Sequence, residues 1–137
     1  MTRYMLDTNI VSHLLKEHPA VIARVQSVPM ASLCISAITE AELHFGLAKR
    51  PTNKPLHRAV HELLIRVESI AWSSAAAQAY GAARFKCNAK RQDTRAARFT
   101  HCSHAISLGA MLVTNDQAMH QLTGLQVQDW TQMPPAQ

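Results

Sequence analysis

The sequence predicts a three-layer α/β/α domain with a central, mainly parallel sheet. Short apolar runs alternate with helical patterns along the chain, and such alternation requires crossover connections between parallel strands. The runs at 32–38 and 110–114 are nearly all apolar, which is typical of strands covered on both faces. The length of 137 residues suits one core, so we assign residues 1–132 to a single domain and 133–137 to a frayed tail.

Two strands and four helices are predicted in the first half of the chain, from apolar spacing and end signals. Asp7 is a cap-type residue before the first helix. Thr39 and Glu42 have the spacing of a capping box, which predicts a helix that begins at Thr39. In order, the elements are a strand at 4–6, helices at 10–15 and 19–28, a strand at 32–38, a helix at 39–50 and, after a loop, a helix at 56–67.

The second half repeats this alternation. Ser73 and Ser74 can cap an alanine-rich helix, and Gly109 marks the end of a later helix. The predicted elements are a strand at 69–72, a helix from residue 75 onward, a short helix at 104–108, a strand at 110–114, a helix at 117–122 and an edge strand at 125–127.

Composition excludes several classes of protein. Hydrophobic residues make up 47% of the chain and charged residues 17%, which excludes a disordered chain. No apolar stretch approaches the roughly 20 residues that span a bilayer, and no signal segment is visible, so we expect a cytoplasmic protein without a membrane partner. The formal net charge of +5 favours a polyanionic partner.

Three acidic residues are expected at one edge of the sheet. Asp7 and Asp116 each follow a buried strand, and Glu42 lies in the predicted first turn of the helix after another strand. Ligands of open α/β sheets bind at the carboxyl ends of the strands. Because close carboxylates repel each other, a hard divalent cation, Mg²⁺ or Mn²⁺, is the expected ligand, and with it nuclease chemistry.

Each of these acids also has a structural explanation. Asp7 and Asp116 could cap the helices that follow them, and Glu42 could be the third residue of a capping box. Only their shared position at strand ends favours the functional interpretation, so both interpretations stay open at this point.

Four segments resemble a known family in order along almost the whole chain. They are MLDTN at 5–9, ISAITEAEL at 35–43 with FG at 45–46, LVTND at 112–116 and LQVQDW at 125–130. Together they resemble the PIN-domain ribonuclease toxins of the VapC type, from bacterial type II toxin-antitoxin pairs. The resemblance implies a PIN-like domain and magnesium-dependent cleavage of RNA, often transfer RNA. It also implies inhibition by a small antitoxin partner, and homodimers.

The resemblance assigns roles to individual residues. It implies that Asp7 is a metal ligand, that Glu42 is a second acid and that Asp116 is the acid after a Thr-Asn pair. All three are therefore predicted as metal-binding catalytic residues. Supporting polar groups are expected to orient the acids or waters, namely Thr8, Asn9, Thr114 and Asn115.

One acid of the family pattern is missing. HAISLG at 104–109 matches the end of a motif whose aspartate would lie six residues before His104, where this chain has Arg98. Asp93 would need a different loop to take its place. An arginine at a metal cleft opposes the cation by like-charge repulsion, which predicts a weak or inactive nuclease.

The genetic code offers an explanation for the missing acid. Codons for TRAARFTHCS at 94–103 can be chosen so that, one base later, they read Leu-Gly-Pro-Leu-Asp-Leu-Leu-Ile-Ala and the start of another Ala codon. We therefore hypothesise that residues 86–103 are out of frame. In that case the basic stretch within 84–98 is accidental.

Three other interpretations remain. A non-catalytic member of the family would bind antitoxin or RNA without cutting it. A phosphatase-like α/β enzyme would use Asp7 as nucleophile, although Asn9 stands where such an enzyme has a second aspartate. A zinc site would use His101, Cys102 and His104 with Cys87, but their spacing matches no common structural site.

Overall fold

A five-stranded parallel sheet forms the centre of the molecule. The computed structural model describes residues 2–89, 96–121 and 124–132. In this part of the chain the strand order is β3-β2-β1-β4-β5, and each neighbouring pair is parallel. The strands are β1 (Tyr4–Leu6), β2 (Leu33–Ser36), β3 (Glu68–Ile70), β4 (Met111–Val113) and β5 (Val127–Gln128).

Helices connect the strands as the alternating pattern predicts. Those described are α1 (Thr8–Leu15), α2 (Pro19–Gln26), α3 (Ala37–Lys49), α4 (Lys54–Arg66), α5 (Ser74–Ala89) and α6 (Ala96–Leu108). Short 3₁₀ turns lie at Met30–Ser32 and Gln117–Gln121. No helix in the described residues is long and apolar enough to cross a membrane.

The sheet separates two cores, which confirms the predicted three-layer architecture. Successive side chains of a strand point to opposite faces, so Leu6 and Met5 of β1 lie in different cores. The first core contains residues of α1, α2, α3 and α4 and is closed by Trp130. Residues of α5 and α6, including Phe99, form the second. Burial of one such side chain stabilises the fold by about 1.5–3 kcal/mol.

The predicted start of α3 is wrong by two residues. Ser36 is the N-cap, because its backbone is extended and its side chain accepts a hydrogen bond from the amide of Ile38 at 3.1 Å. Thr39 is instead buried inside the helix, where its hydroxyl accepts a hydrogen bond from Thr8. The predicted capping box is therefore absent, and Glu42 lies in the second turn rather than the first.

Helix α6 is longer than predicted. It begins at Ala96 rather than near residue 104, and it places Arg98 in its first turn. It ends before Gly109, whose φ of +63° suits a glycine at a helix end. Asp93 lies outside the described residues, as do Lys90, Arg91 and Arg95 of the basic stretch and the predicted tail at 133–137.

Candidate active site

The acids lie at the carboxyl edge of the sheet, where the chain leaves three adjacent strands. β1 is the central strand, with β2 on one side and β4 on the other. The chain builds the β2 and β3 side first and then crosses to the β4 and β5 side, so the strand order reverses at β1 and a crevice is expected there. Asp7 follows β1 directly and its amide donates to the carbonyl of Val113 in β4 at 2.9 Å. The ends of the two strands are therefore fixed to each other.

Asp7 is a buried carboxylate with internal donors. It is 5% exposed, and it is the N-cap of α1 because its Oδ1 accepts from the amide of Thr8 at 2.8 Å. Its Oδ2 accepts from Asn9 Nδ2 at 3.2 Å and from the Thr114 hydroxyl at 2.8 Å. A buried charge needs such compensation. The structural and the functional interpretation of Asp7 are thus compatible, since one oxygen caps and the other faces the end of β4.

Thr114 connects the acid of β1 with the acid after β4. Its hydroxyl donates to Asp7 and accepts from Asn9 Nδ2 and from the Asp116 amide, both at 3.1 Å. Asn9 Oδ1 in turn accepts from the amide of Asn115 at 3.2 Å. Of the polar residues predicted to orient the acids, Asn9 and Thr114 bond to Asp7 through their side chains and Thr8 through its amide, whereas Asn115 bonds to Asn9 and His13. Their part in catalysis stays a prediction.

Asp116 is held by a cation. Its Oδ1 accepts a hydrogen bond of 3.1 Å from the amide of Ala118, near the start of the 3₁₀ turn at Gln117–Gln121. Its Oδ2 accepts from Nε of Arg98 at 2.7 Å. The side chains of this pair are 27% and 26% exposed, so water reaches them only in part. The residue that replaces the expected aspartate is thus an ion-pair partner of Asp116.

A histidine lies between the other two acids. His101, from α6, approaches Glu42 with Nε2 at 3.2 Å from Oε1 and Asp7 with Nδ1 at 3.7 Å from Oδ1. Its side chain is 9% exposed, whereas that of Glu42 is 47% exposed. From the sequence, His101 was predicted only as a possible zinc ligand. Its spacing of three residues from Arg98 on one helix was the available signal, because such residues share a helix face.

The pKa of the Cys102 thiol depends in part on two of the acids. Burial, followed by the negative charges of Asp7 and Asp116, raises the pKa of its thiol to about 12. Its Sγ donates to Sδ of Met119 at 2.9 Å. The neighbouring His104 is bonded to Ser36 instead, with Nδ1 at 2.9 Å from Oγ. The histidines and the thiol thus have different partners, and the zinc interpretation is wrong for the described residues, which include no group of three metal-type side chains.

The lack of such a group among the described residues also bears on the predicted Mg²⁺ or Mn²⁺ site. Oxygen donors such as these carboxylates suit Mg²⁺ or Mn²⁺. In the arrangement described, however, Arg98 takes one oxygen of Asp116 and His101 lies between Asp7 and Glu42. Over residues 2–89, 96–121 and 124–132 no three His, Cys, Asp or Glu side chains are placed to hold a metal ion. The present arrangement therefore does not fit the metal that the resemblance implies.

A groove adjoins the acid edge. It has a volume of about 390 Å³ and lies between α1, α3 and α4. Thr8 and Glu42 line it near the acids, Lys16 and Arg50 add positive charge, and leucines such as Leu43 form apolar lining. The acid edge is thus continuous with a partly apolar, partly basic surface.

Comparisons with known proteins agree with this geometry. A family model described as PIN domain matches residues 4–125. The chain is similar to Ribonuclease VapC1 of Haemophilus influenzae strain R2866, at 37% identity over 134 residues, which cover 93% of this chain and 98% of that protein. It is also similar to the tRNA(fMet)-specific endonuclease VapC of Shigella flexneri, at 28% identity over 96% of this chain and 100% of that protein. The crystal structure of DNA-bound VapBC from Salmonella typhimurium matches with a TM-score of 0.84 and 28% identity, over 95% of this chain and 99% of that chain.

Proposed function

The chain belongs to the PIN-domain family, and from this premise we propose that it is an endoribonuclease toxin of the VapC type, one half of a toxin-antitoxin pair. The observation that carries the proposal is the similarity over nearly the full length to proteins named VapC ribonucleases. The acid edge supports it, because Asp7 and Asp116 lie at the carboxyl ends of central strands, joined through Thr114.

The catalytic roles are assigned to Asp7, Glu42 and Asp116. Cleavage of a phosphodiester by water requires a group that orients the water and accepts its proton, and a carboxylate at the edge of a crevice can do both. Asp7 has a fixed orientation, because three donors hold its carboxylate before any substrate arrives. Thr114 and Asn9 act through Asp7, since both donate to its Oδ2.

RNA is the proposed substrate and an antitoxin protein the proposed partner. The net charge of +5 suits a polyanion, and one relative is named for its action on tRNA(fMet), so transfer RNA is the first substrate to test. One structural neighbour is a VapBC complex bound to DNA, which supports a VapB-like partner. A homodimer and Mg²⁺ dependence remain predictions from the resemblance, and a cytoplasmic location remains a prediction from the sequence.

The other interpretations have less support. The names of the relatives favour neither a phosphatase-like enzyme nor a member of the family that only binds. In addition, Asn9 donates to Asp7 where a phosphatase of that type needs a second carboxylate.

Cleavage of labelled transfer RNA by the purified chain tests the proposal. We expect slow cleavage that falls at least about tenfold in Asp7→Asn, because Asn can still cap α1 but carries no charge. Glu62→Gln is the matched control, since Glu62 is an exposed acid of α4 paired with Arg66. Equal cleavage by Asp7→Asn and the unmutated chain would overturn the assignment of the site. So would absence of cleavage both in the unmutated chain and in a variant with Asp at position 98.

A further inference from the structure

We propose that Arg98 is a tethered cation that neutralises Asp116 and keeps the acid cleft closed to divalent metal ions. The inference rests on the proposed function in one respect, because it takes the acid edge as the place where a divalent cation would bind. It concerns binding of the metal rather than cleavage of RNA, so the two proposals can fail separately.

Arg98 is in direct contact with Asp116. Its Nε lies 2.7 Å from Oδ2 of Asp116, the length of a strong charge-assisted hydrogen bond. Arg98 belongs to the first turn of α6, and the helix is anchored by Phe99 and Cys102 in the second core. The guanidinium is therefore delivered to the acid edge by a packed helix and not by an isolated surface side chain.

Arg98 also differs in charge from the other groups that contact the three acids. Asp7 is compensated by the neutral donors Thr8, Asn9 and Thr114, and the histidine beside it is charged only when protonated. An arginine is charged at every relevant pH. Among the side chains of residues 2–89, 96–121 and 124–132 that are given in direct contact with the three acids, Arg98 is thus the permanent cation.

Arg98 also affects how a divalent cation can bind to Asp116. A divalent cation that binds Asp116 must either share Oδ2 with the guanidinium or displace it. Sharing places like charges a few ångströms apart in a partly buried cleft, and displacement breaks the ion pair. Both routes weaken binding. Removing the charge of Arg98 is therefore expected to raise the affinity for a divalent cation by about tenfold or more.

Binding of Mn²⁺, followed by the loss of the electron paramagnetic resonance signal of the free ion, tests the proposal. Arg98→Met removes the charge and keeps an aliphatic stem, and it is expected to bind Mn²⁺ about tenfold or more tightly than the unmutated chain. Arg66→Met is the matched control, because it also frees one carboxylate of an ion pair, Glu62, but at the end of α4 just before the start of β3, whereas the acids follow the ends of the strands; it should leave binding unchanged. The double variant Arg98→Met with Asp116→Asn should lose the gain.

Two results would overturn the proposal. One is equal Mn²⁺ affinity of Arg98→Met and the unmutated chain, with both shown to be folded by circular dichroism. The other is a gain of the same size in Arg66→Met, which would reveal a general effect of net charge.

A measurement on the unmutated chain applies even if Arg98→Met does not fold. The Nε–H resonance of Arg98 is followed by nuclear magnetic resonance while Mg²⁺ is added. The proposal requires either that no Mg²⁺ binds at the cleft, or that binding is accompanied by loss of the hydrogen-bonded Nε–H signal. Binding of Mg²⁺ that shifts the signals of Asp7 and Asp116 and leaves the Arg98 Nε–H unchanged would contradict it.

Discussion

The hydroxyl of Thr114 donates a hydrogen bond of 2.8 Å to Oδ2 of Asp7, and this contact joins the ends of β4 and β1 across 107 positions of the chain. The same hydroxyl accepts from the amide of Asp116, so one small side chain connects two acids of the proposed active site. The arrangement of the edge therefore depends on a buried hydrogen bond as much as on the acids themselves.

Thr114→Val is expected to lower the free energy of unfolding by about 1–3 kcal/mol, because it leaves a buried carboxylate oxygen short of a donor. Urea unfolding measures the loss. Thr114→Ser should restore most of it, and Thr52→Val, at an exposed position before α4, is the control. Equal stability of Thr114→Val and the unmutated chain would show that the contact contributes nothing.

Stability is expected to fall in mild acid because of His104. Burial lowers the pKa of this side chain below its ordinary value of 6.5, so the unfolded chain binds a proton more readily than the folded one. The contribution of His104 to the free energy of unfolding is therefore present above about pH 6.5. It is lost as the pH falls through the pKa that His104 has in the folded chain. Unfolding in urea at several pH values measures it. His104→Gln should flatten the dependence, and the exposed control His61→Gln should not.

Cys102 is expected to resist alkylation in the folded protein. Its pKa of about 12 leaves almost no thiolate near neutral pH, and the residue is buried. Iodoacetamide followed by mass spectrometry should label it only after unfolding. Because burial contributes more to the raised pKa than the charges of Asp7 and Asp116 do, Asp116→Asn should leave folded Cys102 unlabelled at mildly alkaline pH. Labelling of folded Cys102 as fast as that of the unfolded chain would contradict this environment.

The position of the acids could be predicted from sequence, because an apolar strand followed by a cap-type acid is a local pattern. Asp7 and Asp116 are both found where that pattern predicts. The turn of α3 that holds Glu42 could not be predicted from sequence. Ser36 and Thr39 are both suitable caps, and only the packed structure selects Ser36. The contacts of His101 could not be predicted either, because they depend on α6 beginning as early as Ala96.

The hypothesis of a shifted reading frame gains a structural argument. Ser103 is fully buried, and its hydroxyl has no hydrogen-bond partner among the described residues, while His101 is also buried. The alternative reading places isoleucine at 101, aspartate at 98 and alanine at 103, and the alanine would remove the buried hydroxyl of Ser103 that has no described partner. The nucleotide sequence across residues 84–104 is expected to contain that reading. True codons that cannot give an aspartate at position 98 in the next frame would end the hypothesis.

We propose that the edge acids form a ribonuclease site that Arg98 impairs. Cleavage of labelled transfer RNA by Arg98→Asp, with and without Mg²⁺, tests it most directly. We expect Mg²⁺-dependent cleavage at least about tenfold faster than that of the unmutated chain, and loss of the gain when Asp7→Asn is added. No increase in Arg98→Asp, or an increase that survives Asp7→Asn, would contradict it.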